Sequence, residues 1–135
     1  MLTRISGDLP PHVEDVMTRV IGACIEVHRQ LGPGFLESTY ERAVCVELRL
    51  RGIAFEQQKA VDVVYKGERL HSHRLDLVVE ACVVLEVKAV NQLEEIHGSQ
   101  VVSYLRATGL TAGLLVNFNA VVLKAGIRRI VRTKP

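Results

Sequence analysis

The chain contains no tryptophan, and aromatic residues make up only 4% of its 135 residues. Unpaired bases stack on aromatic side chains in many proteins that bind single strands, so platforms of that kind are scarce here. An excess of charge of one sign is also lacking, because the formal net charge is only +2. Attraction to a phosphate backbone would therefore come from local placement of charge and not from a strongly basic surface.

Cysteine is equally sparse. The three cysteines, Cys24, Cys45 and Cys82, are odd in number, widely spaced and set among apolar residues. This usage predicts reduced core thiols and argues against a disulfide scaffold or a zinc site of the Cys-x-x-Cys type. Residues 1–11 have neither the apolar stretch of a signal peptide nor the length of a membrane span. We therefore expect a cytoplasmic protein that does not contact a membrane.

The remaining composition is that of a globular domain. Hydrophobic residues make up 48% and charged residues 24%, which argues against a disordered or fibrous chain. The length is close to the commonest domain size. We expect a single domain over residues 1–135, with residues 1–11 as a flexible N-terminal segment.

Two helices are predicted first. Apolar residues from Val13 to His28 recur at three- and four-residue steps, which indicates an amphipathic helix that ends at residues 31–34. The second helical pattern covers residues 35–51, and Gly52 closes it. One apolar face on each helix predicts that the two pack together.

From Ala54 the periodicity changes to two. Residues 55–65, 69–79 and 82–90 predict three strands, and the short turns between them predict an antiparallel meander. A helix over residues 92–108 and a strand over residues 112–118 follow, and a strand reached through a helix normally lies parallel to the previous strand. Residues 121–131 predict an edge strand. The expected fold class is α+β, a central mixed sheet flanked by helices.

Charged residues interrupt two of the predicted strands. Strand alternation places Glu86 and Lys88 on one face of an otherwise apolar run, and the turn at residues 80–81 brings Asp76 of the preceding strand beside Glu86. Two neighbouring carboxylates repel each other, and Mg²⁺ or Mn²⁺ would neutralise them through oxygen ligands. A lysine beside them could order an attacking water and stabilise charge on a phosphoryl group. The alternative is an ion pair between Glu86 and Lys88 on a solvated sheet face.

Three motifs carry a resemblance to a known family. Asp76 followed by Glu86-Val87-Lys88 on the adjoining strand resembles the PD-(D/E)xK nuclease superfamily, with Leu75 in place of the proline that sometimes precedes the first acid. The segment from Gly34 to Tyr40, Gly-Phe-Leu-Glu-Ser-Thr-Tyr, matches the signature of the GxxExxY family, a branch of that superfamily. Gln100 and Tyr104 match the Gln-x-x-x-Tyr motif of recombination-associated exonucleases. The resemblance covers roughly residues 13–131 and implies a restriction-endonuclease-like core.

The resemblance implies a role for each matching residue. The metal ligands would be Glu37, Asp76, Glu86 and the backbone carbonyl of Val87, with Mg²⁺ as the ion and Mn²⁺ able to substitute. Lys88 would order the attacking water, while Gln100 and Tyr104 would position that water or the scissile phosphate.

Several of these residues also have a purely structural interpretation. Glu37 could be a solvated acid in the first turn of a helix, where the dipole favours negative charge. Tyr104 could be a core aromatic with a bonded hydroxyl. Arg74 could contact the substrate phosphate or only pair with Asp76, and His97 could approach the phosphate or only cap its helix.

The resemblance implies a nuclease that hydrolyses phosphodiester bonds, with DNA favoured over RNA as its partner. A small domain offers little room to grip a duplex, so a homodimer is one expected assembly. Two alternatives stay open: a catalytically inactive module that binds nucleic acid or protein, and an assembly subunit in which the charges form a structural ion network.

Overall fold

The computed structural model describes residues 3–4 and 9–132. Its elements, in chain order, are β1 (Thr3–Arg4), α1 (Pro11–Leu31), α2 (Glu37–Leu50), β2 (Phe55–Tyr65), β3 (Glu68–Val79), β4 (Val83–Lys88), α3 (Glu95–Thr108), β5 (Ala112–Asn117), a 3-10 helix (Leu123–Gly126) and β6 (Ile127–Arg132). The observed order confirms the predicted α+β class.

Within the described residues the strands form one six-stranded sheet in the order β1-β6-β5-β4-β3-β2. The β2–β3–β4 meander is antiparallel, as predicted, and β2 turns into β3 through Lys66 and Gly67, both of which have positive φ. Strand β5 pairs parallel to β4 after the α3 crossover. The sheet is therefore mixed, and β4 lies inside it.

Helices cover both faces of this sheet. On one face, buried residues of α1 and α2 pack against alternate residues of β3, β4 and β5, among them Leu77, Leu85 and Val116. On the other face, Val101 and Leu105 of α3 pack against residues that include Val84 and Leu115. Strand β4 is consequently buried on both sides, which explains why its sequence is almost continuously apolar.

Helix α3 approaches β5 closely because residue 113 is a glycine. A Cβ atom at Gly113 would lie 2.7 Å from Cγ1 of Val101. The missing side chain therefore sets the distance between the sheet and the helix that carries Gln100 and Tyr104.

The C-terminal prediction is partly wrong. Residues 121–131 do not form one edge strand, because residues 123–126 form the 3-10 helix and β6 begins at Ile127. Gly126 allows this turn, since a Cβ atom there would lie 2.5 Å from the carbonyl oxygen of Asn117. Strand β6 is also paired on both sides, by β5 and by β1.

The remaining boundaries agree with the prediction to within three residues, the largest shift being that α3 begins at Glu95 instead of residue 92. In the segment expected to be flexible, Thr3–Arg4 pairs with β6 and α1 begins at Pro11. Residues 1–2 and 5–8 lie outside the described residues.

Candidate active site

The acids Asp76 and Glu86 lie opposite each other where β3 and β4 separate. The two strands pair over residues 77–79 and 83–85, and the next position on each strand is an acid. At these positions carboxylate oxygens, and not backbone carbonyls, accept the hydrogen bonds between the strands. The Asp76 N–H donates to Glu86 Oε1 (3.2 Å), and the Val87 N–H donates to Asp76 Oδ2 (2.8 Å). The two carboxylates are thus fixed by backbone donors.

The pairing of β3 with β2 is irregular at the same point. Gln57 pairs with Leu77 and Lys59 with Leu75, but the position between them, Gln58 opposite Asp76, is not paired. Gln58 has φ +54°, a conformation that non-glycine residues seldom adopt. The regular backbone pairing of β3 is therefore interrupted at Asp76 on both sides, toward β2 and toward β4.

Both acids hold a proton more tightly than usual. The pKa of Asp76 is raised to about 6, chiefly by burial and also by the negative charges of Glu41 and Glu37, against the opposing effect of the Val87 N–H. Burial raises the pKa of Glu86 to about 8, with the charge of Asp76 as the next cause. Glu86 is only 5% exposed. Two adjacent acids in this environment resist ionisation unless positive charge is supplied.

Lys88 and Glu37 lie at the margin of this pair. Lys88, the last residue of β4, is half-buried, and its positive charge lowers the pKa of both acids. Among the described residues it has no ion-pair partner, so the alternative interpretation, an ion pair between Glu86 and Lys88, is not observed. Glu37, the first residue of α2, is exposed, and its charge raises the pKa of Asp76 and Glu86.

Helix α3 brings Tyr104 to the same region. Burial raises the pKa of Tyr104 to about 12, and the negative charges of Glu86 and Asp76 contribute. Its hydroxyl therefore stays protonated near neutral pH and can donate a hydrogen bond. Gln100 is half-buried one turn earlier, and its side chain makes no hydrogen bond to another residue in the described part of the chain.

His97 and Arg74 both make hydrogen bonds within the protein. Nδ1 of His97 accepts a hydrogen bond from the Glu94 N–H (2.9 Å), and the Glu94 side chain accepts one from the His97 N–H, which together form a capping box at the start of α3. Arg74 is exposed and donates from Nη1 to the Gln58 carbonyl (3.0 Å). It forms no ion pair with Asp76 in the described structure, so of the two alternatives for Arg74 the pairing with Asp76 is not observed.

Three residues near the site had no predicted role. Glu41, one turn after Glu37, is buried and accepts hydrogen bonds from the side-chain amides of Gln57 and Gln58, both at 2.8 Å. His73 bonds to Tyr104 through Nε2 and the hydroxyl oxygen (2.6 Å), and the two rings stack with their centroids 4.7 Å apart. An acid on a helix and a histidine on an exposed strand gave no signal, because their partners are distant in sequence.

The third is Asn117, at the end of β5. Its Oδ1 accepts a hydrogen bond from the Val90 N–H (3.0 Å), and its Nδ2 donates to the Val90 carbonyl (2.9 Å). Because Lys88 pairs with Asn117 across the two strands, this clamp fixes the backbone directly after Lys88.

The chemistry of these donors fits a divalent cation. Mg²⁺ is usually bound through one or two carboxylates and keeps several waters, so the Asp76–Glu86 pair is a sufficient protein contribution. Neither acid has a cationic partner within ion-pairing distance in the described residues. In residues 9–132, however, no three His, Cys, Asp or Glu side chains lie close enough to form a metal-binding group.

Fold and site together define a restriction-endonuclease-like α+β domain with an acid pair at the separation of two central strands. A family model described as the PD-(D/E)XK nuclease superfamily matches residues 14–130, and the chain belongs to this superfamily. No curated protein and no solved structure matches the chain. Members of the superfamily are usually nucleases, and they generally use divalent metals such as Mg²⁺.

Two further expectations concern the whole chain. Cys24, Cys45 and Cys82 are free thiols, and the first two are buried, as predicted for reduced core residues. Every described helix is too short or too polar to cross a lipid bilayer.

Proposed function

We propose that the chain is a metal-dependent nuclease that hydrolyses phosphodiester bonds of nucleic acid, with DNA preferred over RNA. The observation that carries this proposal is the Asp76–Glu86 pair, two acids with raised pKa values held by backbone N–H groups next to Lys88, which has no ion-pair partner among residues 9–132. A structural ion network would instead satisfy these charges within the protein. The DNA preference rests on the resemblance of Gln100 and Tyr104 to the exonuclease motif.

Asp76 and Glu86 would hold Mg²⁺, with the Val87 carbonyl and Glu37 as additional ligands and Mn²⁺ as a substitute ion. When bound, the ion would polarise the phosphoryl group and lower the pKa of the attacking water. Lys88 would hold that water and stabilise negative charge on the phosphoryl oxygens. The neutral hydroxyl of Tyr104 would donate a hydrogen bond to the phosphate, and Gln100 would help to orient it.

We also propose that the chain belongs to the GxxExxY branch of the superfamily. The Tyr40 hydroxyl donates to the Gly32 carbonyl (2.5 Å) and accepts from the Phe35 N–H (3.1 Å), while its ring stacks on Phe118 with centroids 4.8 Å apart. The motif tyrosine thus anchors the loop that precedes Glu37. This gives the tyrosine of the motif, three residues after Glu37, a structural role that supports the assignment.

The test is cleavage of single- and double-stranded DNA and RNA with Mg²⁺ or Mn²⁺ by the wild type, Asp76→Asn and Lys88→Met. We expect metal-dependent cleavage that falls at least about a hundredfold in each variant, the usual effect of removing one electrostatic group from an active site. Lys124→Met, on the exposed 3-10 helix, is the matched control and should cleave like the wild type. Equal cleavage by all four proteins would contradict the proposal.

A second candidate is a catalytically inactive module that binds nucleic acid or protein. It is favoured by one observation, that the described residues hold no preformed group of three metal ligands. This candidate predicts salt-dependent binding without turnover. Titration calorimetry separates the two, because heat from Mn²⁺ binding that disappears in Glu86→Ala opposes an inactive module.

We also propose a cytoplasmic location, which the three free thiols support, and assembly as a homodimer.

A further inference from the structure

An open cavity of about 460 Å³ lies between β2 and α3, beside the candidate active site. Its walls include Val61 and Val63 from β2, His73 from β3, and Tyr104, Arg106 and Ala107 from α3. This volume lies in the range of pockets that bind small ligands, roughly 300–1,000 Å³. None of the catalytic roles proposed above uses this space.

Tyr104 joins the cavity to the acid pair. It lines the cavity, and the charges of Glu86 and Asp76 act on its hydroxyl. His73 stacks on the Tyr104 ring and bonds to its hydroxyl, so the two rings form one fixed aromatic wall. His73 and Asp76 are three residues apart on β3, which corresponds to about 10 Å along a strand.

The charges at the cavity favour an anionic ligand with an apolar part. Arg106 is exposed and has no hydrogen bond or ion pair to any other residue in the described ranges. The acid that lines the cavity, Asp62, is already satisfied by Arg69 and Ser72, at 3.1 and 2.8 Å. The available charge is therefore positive, and the valines and Ala107 supply apolar surface.

We propose that this cavity binds the nucleoside next to the scissile phosphate, with its base against the His73–Tyr104 wall and Arg106 on the following phosphate. The proposal rests on the proposed nuclease function, because it assumes that the phosphate lies at the Asp76–Glu86 pair. Within a strand, each nucleoside carries a planar base with apolar faces and is flanked by phosphates, and the cavity walls and the Arg106 guanidinium complement these two features.

The test blocks the cavity without touching the acid pair. Ala107→Phe places a ring in the cavity, and Thr18→Phe, an exposed position on α1, is the matched control. Affinity is measured with a short single-stranded DNA in Ca²⁺, so that binding is observed without depending on cleavage. We expect Ala107→Phe to raise Kd roughly tenfold, the order of effect of one stacked base, and Thr18→Phe to leave it unchanged.

A series of DNAs, each lacking one base, shows whether the loss belongs to a base. The wild type should lose affinity when one particular base is removed, and Ala107→Phe should be indifferent to the same removal. Arg106→Gln should reduce the slope of log K against log salt by about one, the contribution of one phosphate contact. Circular dichroism and Tm establish that each variant is folded.

The outcomes separate this proposal from the function on which it rests. Cleavage by the wild type together with wild-type affinity in Ala107→Phe would overturn the nucleoside site and leave the nuclease standing. Base-dependent binding without any cleavage would support the site and contradict the nuclease. Absence of DNA binding by the wild type, or equal losses in Ala107→Phe for every DNA of the series, would overturn the nucleoside site.

Discussion

The Asp76 N–H donates a hydrogen bond to the Glu86 carboxylate at 3.2 Å, and the Asp76 carboxylate accepts one from the strand that carries Glu86. Each carboxylate thus accepts from a backbone N–H of the neighbouring strand, in place of a carbonyl group of its own strand. Backbone N–H groups hold a carboxylate in place without cancelling its charge. The two acids are therefore positioned precisely enough to share a cation, yet they remain costly to ionise while none is bound.

This arrangement predicts that stability falls as pH rises. Burial raises the pKa of Asp76 to about 6 and that of Glu86 to about 8, whereas both acids titrate near 4 in the unfolded chain. The folded chain thus binds these protons more tightly, so their contribution is fully present below about pH 4 and is lost as pH rises through 6 and 8. Glu86→Gln should flatten this decline, measured as Tm between about pH 5 and about pH 9.

The stabilisation that Mg²⁺ gives, measured as the rise in Tm on adding the ion, should increase with pH. The ion binds the ionised acids, so it should raise the Tm of the wild type more at about pH 9 than at about pH 5. Glu95→Gln, exposed at the start of α3, is the control and should behave like the wild type. If Tm fell equally with pH in Glu86→Gln and in the wild type, the buried acid pair would not be the cause of the decline.

Glu41 is predicted to tune Asp76 through its charge. Its negative charge raises the pKa of Asp76, so Glu41→Gln should lower that pKa while leaving an oxygen to accept from Gln57 or Gln58. Less negative charge at the site should also weaken Mg²⁺ binding. The pKa is measured from the ¹³C shift of the Asp76 carboxyl group. Glu47→Gln, on the same helix, should leave it unchanged, and an unchanged value in Glu41→Gln would contradict the prediction.

Tyr40 is predicted to stabilise the loop before α2. Tyr40→Phe keeps the stack on Phe118 but leaves the Gly32 carbonyl and the Phe35 N–H without their side-chain partner. The free energy of unfolding should fall by about 1–3 kcal/mol in a urea titration. Tyr65→Phe, at an exposed strand end where the hydroxyl has no partner in the described residues, should change it by less than about 0.5 kcal/mol. Equal stability of both variants would contradict the anchoring role.

The sequence predicts the acid pair because its determinants are local. Strand alternation fixes the face of Glu86, and the short turn at residues 80–81 fixes which residue of β3 lies opposite. Both depend on neighbours close in the chain, and the structure brings Asp76 and Glu86 together as this reasoning expects.

Other parts of the site depend on contacts that periodicity does not encode. The positive φ of Gln58 accompanies the break in pairing opposite Asp76, and the Glu41 carboxylate bonds to this displaced residue. His73 looks like an exposed strand residue until α3 lies over it, 31 residues later in the chain. The C-terminal error has a similar cause, because an apolar run does not distinguish a strand from a short 3-10 helix.

Asn117 is predicted to fix the end of β4 and, through it, Lys88. Asn117→Ala removes both hydrogen bonds to Val90, so the backbone after Lys88 should loosen and the free energy of unfolding should fall by about 1–3 kcal/mol. The specific measurement is hydrogen exchange of the Val90 amide, which should lose protection, and kcat should fall more than affinity because Lys88 is displaced. Asn91→Ala, exposed one residue beyond Val90, is the control and should change neither. Unchanged protection of Val90 in Asn117→Ala would show that the clamp does not hold this end of the strand.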